Sequence, residues 1–157
     1  MSHPEERLAA MGLSVPDVAK PVAVYVPAVR SGSHVFTSGQ LPMRSGELIR
    51  TGKVGGEVSL EEAVECAQQC ALNAIAAVRA EIGDLAAVAR VVKVVCFVAS
   101  TPDFTGQPQV ANGVSELLGE AFGEAGVHAR SAVGVPVLPL DAPVEVELVV
   151  EVSGGSV

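Results

Sequence analysis

The stretch Val88-Ala89-Arg90-Val91-Val92-Lys93-Val94-Val95-Cys96-Phe97-Val98-Ala99 decides the fold. Counted in twos, Val92, Val94, Cys96 and Val98 fall on one side of a strand. Val91, Val95 and Phe97 fall on the other, with Lys93 among them. A strand that is apolar on both faces needs cover on both. Thr101-Pro102-Asp103 breaks it.

Upstream, Ser59-Leu60-Glu61-Glu62 forms a capping box. Ala63, Val64, Ala67, Cys70, Ala71, Ala74, Ile75 and Val78 follow at helical spacing, and Gly83 is a stop. This predicts a helix of about twenty residues. Downstream, Pro108 opens a second helix with Val110, Val114, Leu117, Leu118, Ala121 and Phe122 as its stripe, closed by Gly123 and Gly126. Further strands are expected over 22–29, interrupted by Pro27, over 34–38, over 132–138 and over 144–152. Ser31-Gly32-Ser33 is the turn of a hairpin, and residues 45–56 include loop.

The order strand, strand, helix, strand, helix, strand, strand predicts an α+β fold. One mixed sheet carries two long helices on one face. Those helices cannot cover both faces, so a second copy of the chain is expected against the open one.

Composition bounds the rest. The 157 residues fit a single domain, and residues 1–20 are an N-terminal extension with a short helix opened by His3-Pro4-Glu5-Glu6. A net charge of −8 and a 3% aromatic content argue against nucleic acid, which calls for a basic footprint and stacking platforms. The start lacks the apolar core of a secretory signal, and no stretch resembles a membrane span; a cytoplasmic location is expected because it fits the spare thiols of Cys66, Cys70 and Cys96. Cys66, Cys70 and Cys96 lack a companion ligand pattern and read as buried thiols. His3, His34 and His128 show no compact metal spacing, so no metal is expected.

Candidate chemistry gathers near the C-terminal end. Arg130 opens a strand-like apolar segment, and an arginine fork suits a carboxylate. Glu145 follows with Glu147 and Glu151 on the same strand parity, and could orient a water or move a proton. Alone, each residue also reads as a surface ion-pair partner. Tyr25, the sole tyrosine, suits either the core or a pocket wall. Ser38 has no visible histidine–acid arrangement, and Gly52, Gly55 and Gly56 lack the ending of a phosphate loop. His128 either tunes the surroundings of Arg130 or faces solvent.

Two sets of residues together carry a resemblance. Tyr25 with Phe36-Thr37-Ser38-Gly39-Gln40-Leu41-Pro42 resembles the front motif of the RidA/YjgF/UK114 proteins. Ala129-Arg130-Ser131-Ala132-Val133, Leu138-Pro139 and Val144-Glu145-Val146-Glu147 resemble the back motif. The likeness spans residues 20–150. It implies a chorismate-mutase-like fold and a homotrimer with a barrel-like core and active sites between subunits. The implied activity is hydrolytic deamination of small 2-imino or 2-enamino acids to 2-keto acids and ammonia, without a cofactor. Arg130 would bind the substrate carboxylate and Glu145 would handle the attacking water. Tyr25, Ser38, Gly39 and Asn112 would line the pocket, although Asn112 sits one residue off the usual spacing to Arg130. Ala132 replaces the cysteine usual in deaminases, which points to a divergent subgroup. The alternatives are a non-catalytic trimer that binds or reports a small carboxylate metabolite and, third, an endoribonuclease.

Overall fold

The computed structural model describes residues 2–19 and 24–154. The chain opens with α1 (Pro4–Ala10) and continues through the strands β1 (Ala28–Ser31) and β2 (His34–Thr37) to a small hairpin, β3 (Met43–Arg44) and β4 (Glu47–Leu48). Then come α2 (Leu60–Ile82), β5 (Val88–Ala99), α3 (Gln107–Phe122), β6 (Ala129–Val135) and β7 (Val144–Val152). Five strands form one mixed sheet in the order β1-β2-β7-β5-β6. Only β5 and β6 run parallel, and α3 supplies the crossover such a pair requires.

The long helices form where expected. Ser59 Oγ accepts from the Glu62 amide at 3.1 Å, and the Glu62 carboxylate accepts from the Ser59 amide at 3.0 Å, so both halves of the capping box are made. Gly83 ends α2 with φ of 85°, a conformation that suits glycine. Both helices pack on one face of the sheet. Val144, Val146, Leu148, Val150 and Val152 of β7 are buried beneath them, while Glu145, Glu147, Val149 and Glu151 alternate onto the open face. The two helices meet closely where Gly113 of α3 passes over Val64 and Ala67 of α2.

Four expectations are corrected. The first strand lies at Ala28–Ser31 rather than 22–29; of the expected range, residues 22 and 23 lie outside the described residues and 24–27 are irregular. Pro27 has no amide hydrogen for a ladder and uses its carbonyl to accept from Ser38 at 2.8 Å. The hairpin turn is the pair Gly32-Ser33, with positive φ at Gly32 alone, the pattern of a type II′ turn. The β6 strand begins at Ala129 and ends at Val135, before Pro136, so Arg130 sits inside it. In β5 a register shift between Val91 and Lys93 changes the parity: Val91, Val94, Cys96 and Val98 are fully buried, and Val92 is not.

The N-terminal segment packs on the same side as the helices. Leu8 is fully buried, and Arg79 of α2 reaches Glu5 at 3.0 Å and the carbonyl of Pro16 at 3.2 Å. Among the described residues no helix is long and apolar enough to cross a membrane.

Candidate active site

Arg130 lies on the edge strand β6, in register with the buried Val94, and so points to the helix side of the sheet. There α3 receives it. Nη1 donates to Asn112 Oδ1 at 2.8 Å and to Ser115 Oγ at 3.0 Å; Nη2 donates to the Pro108 carbonyl at 3.2 Å. Residues 108, 112 and 115 are spaced four and three apart, so they share one stripe of α3. Among the described residues the Nε–H has no partner, and no carboxylate pairs with the guanidinium.

The polarity of this chain of hydrogen bonds follows from its ends. An arginine only donates and a backbone carbonyl only accepts. His128 Nδ1 lies 2.6 Å from the Gly126 carbonyl, so it carries the hydrogen there. In the neutral ring Nε2 is then the acceptor, and it takes the Ser115 hydroxyl hydrogen at 2.9 Å. Ser115 in turn keeps a lone pair for Arg130. The half-buried guanidinium is therefore held on its Nη1 side by a directed row, while its Nε edge stays open.

The second group of expected residues lies elsewhere. Ser38 and Gly39 leave β2 in a bulge before Gln40 rejoins β7 opposite Val146. Gly39 abuts the Glu145 carboxylate, and a Cβ at this position would collide with Oε2. A side chain there would have to push the Glu145 carboxylate aside, whereas the backbone torsion of Gly39 does not call for glycine. Ser38 Oγ donates to the Val26 carbonyl at 2.5 Å. Burial raises the pKa of Glu145 above its ordinary value, and the neighbouring Glu147 adds to the rise. Tyr25 and Gly39 line a cleft of about 590 Å³ with Gln40, Leu41, Arg44 and Asn73.

The structure thus brings Arg130 to Asn112, and Gly39 to Glu145, but does not join the two groups within one chain. Glu145 faces the open side of β7, while Arg130 faces the helix side of β6, two strand spacings or about 10 Å across the sheet. Ser115 was not anticipated. Its spacing of three from Asn112 was the available signal, but a lone helix serine also satisfies itself against its own backbone.

The cysteines offer no competing centre. Burial pushes Cys66 up to about 11 and Cys96 up to about 12, and raises Cys70 well above its ordinary value. Cys70 donates to the Val144 carbonyl at 3.6 Å. Among the described residues, no group of three or more His, Cys, Asp or Glu could hold a metal ion.

With this geometry in view, comparisons with known proteins are informative. Residues 5–152 match the family described as "YjgF/chorismate mutase-like, putative endoribonuclease". Protein TCP17 of Trypanosoma cruzi is 44% identical over 147 residues, which cover 93% of this chain and 92% of that protein. A 2-iminobutanoate/2-iminopropanoate deaminase of Dermatophagoides farinae is 34% identical over 140 residues, covering 88% and 93%. Among solved structures, the protein Atu1372 of Agrobacterium tumefaciens, described as having unknown function, superimposes with a TM-score of 0.91 at 44% identity. That match covers 96% of this chain and 92% of the other.

Proposed function

The chain belongs to the YjgF/chorismate mutase-like family, and from that premise we propose that it hydrolyses small 2-imino or 2-enamino acids to 2-keto acids and ammonia. The observation that carries this reading is the Arg130 fork. It is held in place by Asn112, Ser115 and the Pro108 carbonyl, yet no carboxylate among the described residues occupies it. A buried or half-buried arginine prepared in this way is a receptor for a ligand carboxylate.

The chemistry needs a second group near the imine carbon. Glu145 of the same chain faces the other side of the sheet, so the site is completed by Glu145 of a neighbouring copy, with Tyr25, Ser38 and Gly39 beside it. The substrate carboxylate binds Arg130. Water attacks the carbon of the protonated C=N bond and gives one proton to Glu145, forming a carbinolamine. That proton passes to nitrogen, the C–N bond breaks, and the hydroxyl closes to a carbonyl, giving its own proton to Glu145 as ammonia leaves. An enamine first takes a proton at carbon. The raised pKa of Glu145 suits a group that both accepts and returns a proton. Three copies in a ring would provide three such junctions.

The separation of the two groups in one chain also favours a second reading: a carboxylate-binding protein without turnover, built on Arg130 alone. Ammonia release from freshly generated 2-iminopropanoate separates them. The deaminase reading predicts release well above the spontaneous rate and its loss in Arg130→Gln. Equal release with and without protein leaves only binding.

A further inference from the structure

We propose that Gln107 selects the substrate: its side-chain carbonyl takes a hydrogen bond from a donor at the far end of the ligand's side chain. The favoured ligands are 2-imino acids, and their 2-keto products, whose side chain ends in an N–H or O–H group rather than an alkyl group. This deepens the proposed function and rests on the reading of Arg130 as the carboxylate grip.

Arg130, Ala132 and Gly134 alternate onto the helix side of β6, in register with the fully buried Val94, Cys96 and Val98 of β5. The first turn of α3 touches both ends of this row. The Pro108 carbonyl accepts from Arg130 Nη2 at 3.2 Å, and the preceding residue, Gln107, sits against Gly134. A Cβ on Gly134 would lie 2.8 Å from Gln107 Nε2 and 2.9 Å from Ser100 Oγ, so the amide occupies the space a side chain there would fill. Between the two ends stands Ala132, with a single methyl group.

The orientation of this amide is settled by its partners. Nε2 lies 2.8 Å from the Phe104 carbonyl and 3.2 Å from Ser100 Oγ. A carbonyl only accepts, so the amide turns its nitrogen and not its oxygen to Phe104. Ser100 gives its own hydrogen to the Val98 carbonyl at 3.2 Å, which leaves a lone pair for Gln107. Both amide hydrogens are thereby spent. Oε1 has no partner among the described residues, and it is accessible, because Thr101 Oγ1 alone among them is a buried side-chain acceptor without a partner. An amide pinned through its nitrogen, with its acceptor left over, is prepared for a donor.

Reach bounds the ligand. Gln107 and Pro108 are consecutive and lie within one helical turn, about 5.4 Å along the axis, so a side chain of about three heavy atoms beyond C2 spans the gap from a carboxylate on Arg130. A branched alkyl side chain of the same shape would cover Oε1 without supplying a hydrogen. A site built to hydrogen-bond its ligand rejects an isostere that lacks the donor.

Titration calorimetry on the full chain tests this with three keto acids. The first, 2-oxosuccinamate, ends in a primary amide. The second, 4-methyl-2-oxopentanoate, has the same shape without the donor. The third, 2-oxobutyrate, is too short to reach Gln107. The expected result is that the chain binds 2-oxosuccinamate at least ~10-fold more tightly than 4-methyl-2-oxopentanoate. In Gln107→Leu that preference should fall below ~2-fold while 2-oxobutyrate still binds. Gly134→Ala, whose Cβ pushes the amide aside, should lower the preference as well, and its ratio decides alone if Gln107→Leu does not fold. Equal binding of the two longer keto acids, or no saturable binding of either up to ~10 mM, overturns the proposal. So does a preference that survives Gln107→Leu, or a folded Gln107→Leu that loses all three ligands alike. Ammonia release from 2-iminopropanoate is followed in parallel. No release above the spontaneous rate, with the preference still following Gln107, sinks the deaminase reading and leaves the selection standing; release without any preference does the reverse.

Discussion

At the scale of single residues, Arg130 depends on neighbours that never need to touch a substrate. Ser115→Ala removes one acceptor from Nη1, and His128→Gln removes the ring that orients that acceptor. At about 1 kcal/mol per hydrogen bond, each should weaken 2-oxobutyrate binding about fivefold. Kinetics should show the same rise in KM for 2-iminopropanoate with kcat nearly unchanged; a fall in kcat alone would place these residues in the chemistry instead. Glu145 invites a test of sign. Burial and then the Glu147 charge raise its pKa, so its ionised form is reached at higher pH than for an ordinary glutamate. Glu147→Gln removes the like charge and lowers the Glu145 pKa. The acid limb of the kcat/KM profile should therefore move to lower pH. A limb that stays put or moves up would show that Glu145 does not control it.

At the scale of elements, two glycines of α3 make opposite predictions from the same substitution. A Cβ on Gly113 would lie 2.8 Å from the Val64 carbonyl oxygen and 3.3 Å from Ala67 Cβ, against the backbone of α2. Overpacking of this kind costs about 1–3 kcal/mol. At Gly119 a Cβ meets nothing within 4 Å, and alanine there gains up to about 1 kcal/mol of helix propensity. Thermal denaturation should show Gly113→Ala lowering Tm by several degrees and Gly119→Ala holding or raising it; equal shifts would contradict the helix–helix contact. The same elements show what was readable beforehand. Ser59, Gly83 and the apolar stripes located both helices, and period two located β7, because caps and alternation are local signals. Register is not local. Only the sheet reveals the bulge at Val92, the short β1 after Pro27 and the early start of β6 at Ala129. The site divided in the same way. Motif residues named Arg130 and Glu145, but strand order and parity decide that they face opposite ways.

At the scale of the whole molecule, the open face of the sheet is the remaining feature to explain. Val29, Phe36 and Val133 on it are 51%, 44% and 43% exposed, and Phe97 and Val149 lie between them by register. Apolar side chains gathered on one sheet face mark an association surface. Light scattering should give about 48 kDa for three chains of 16.0 kDa; a 16 kDa species at micromolar concentration would leave Arg130 without the neighbour it needs. The central claim is that one chain supplies the carboxylate grip and another supplies the base. The most direct measurement unfolds Arg130→Gln and Glu145→Gln together in equal amounts, refolds them, and assays ammonia release from 2-iminopropanoate. Each variant refolded alone should be inactive. Random pairing should place an intact Arg130 opposite an intact Glu145 at about one junction in four, restoring about a quarter of wild-type activity. A mixture as inactive as its two components would contradict a site shared between chains.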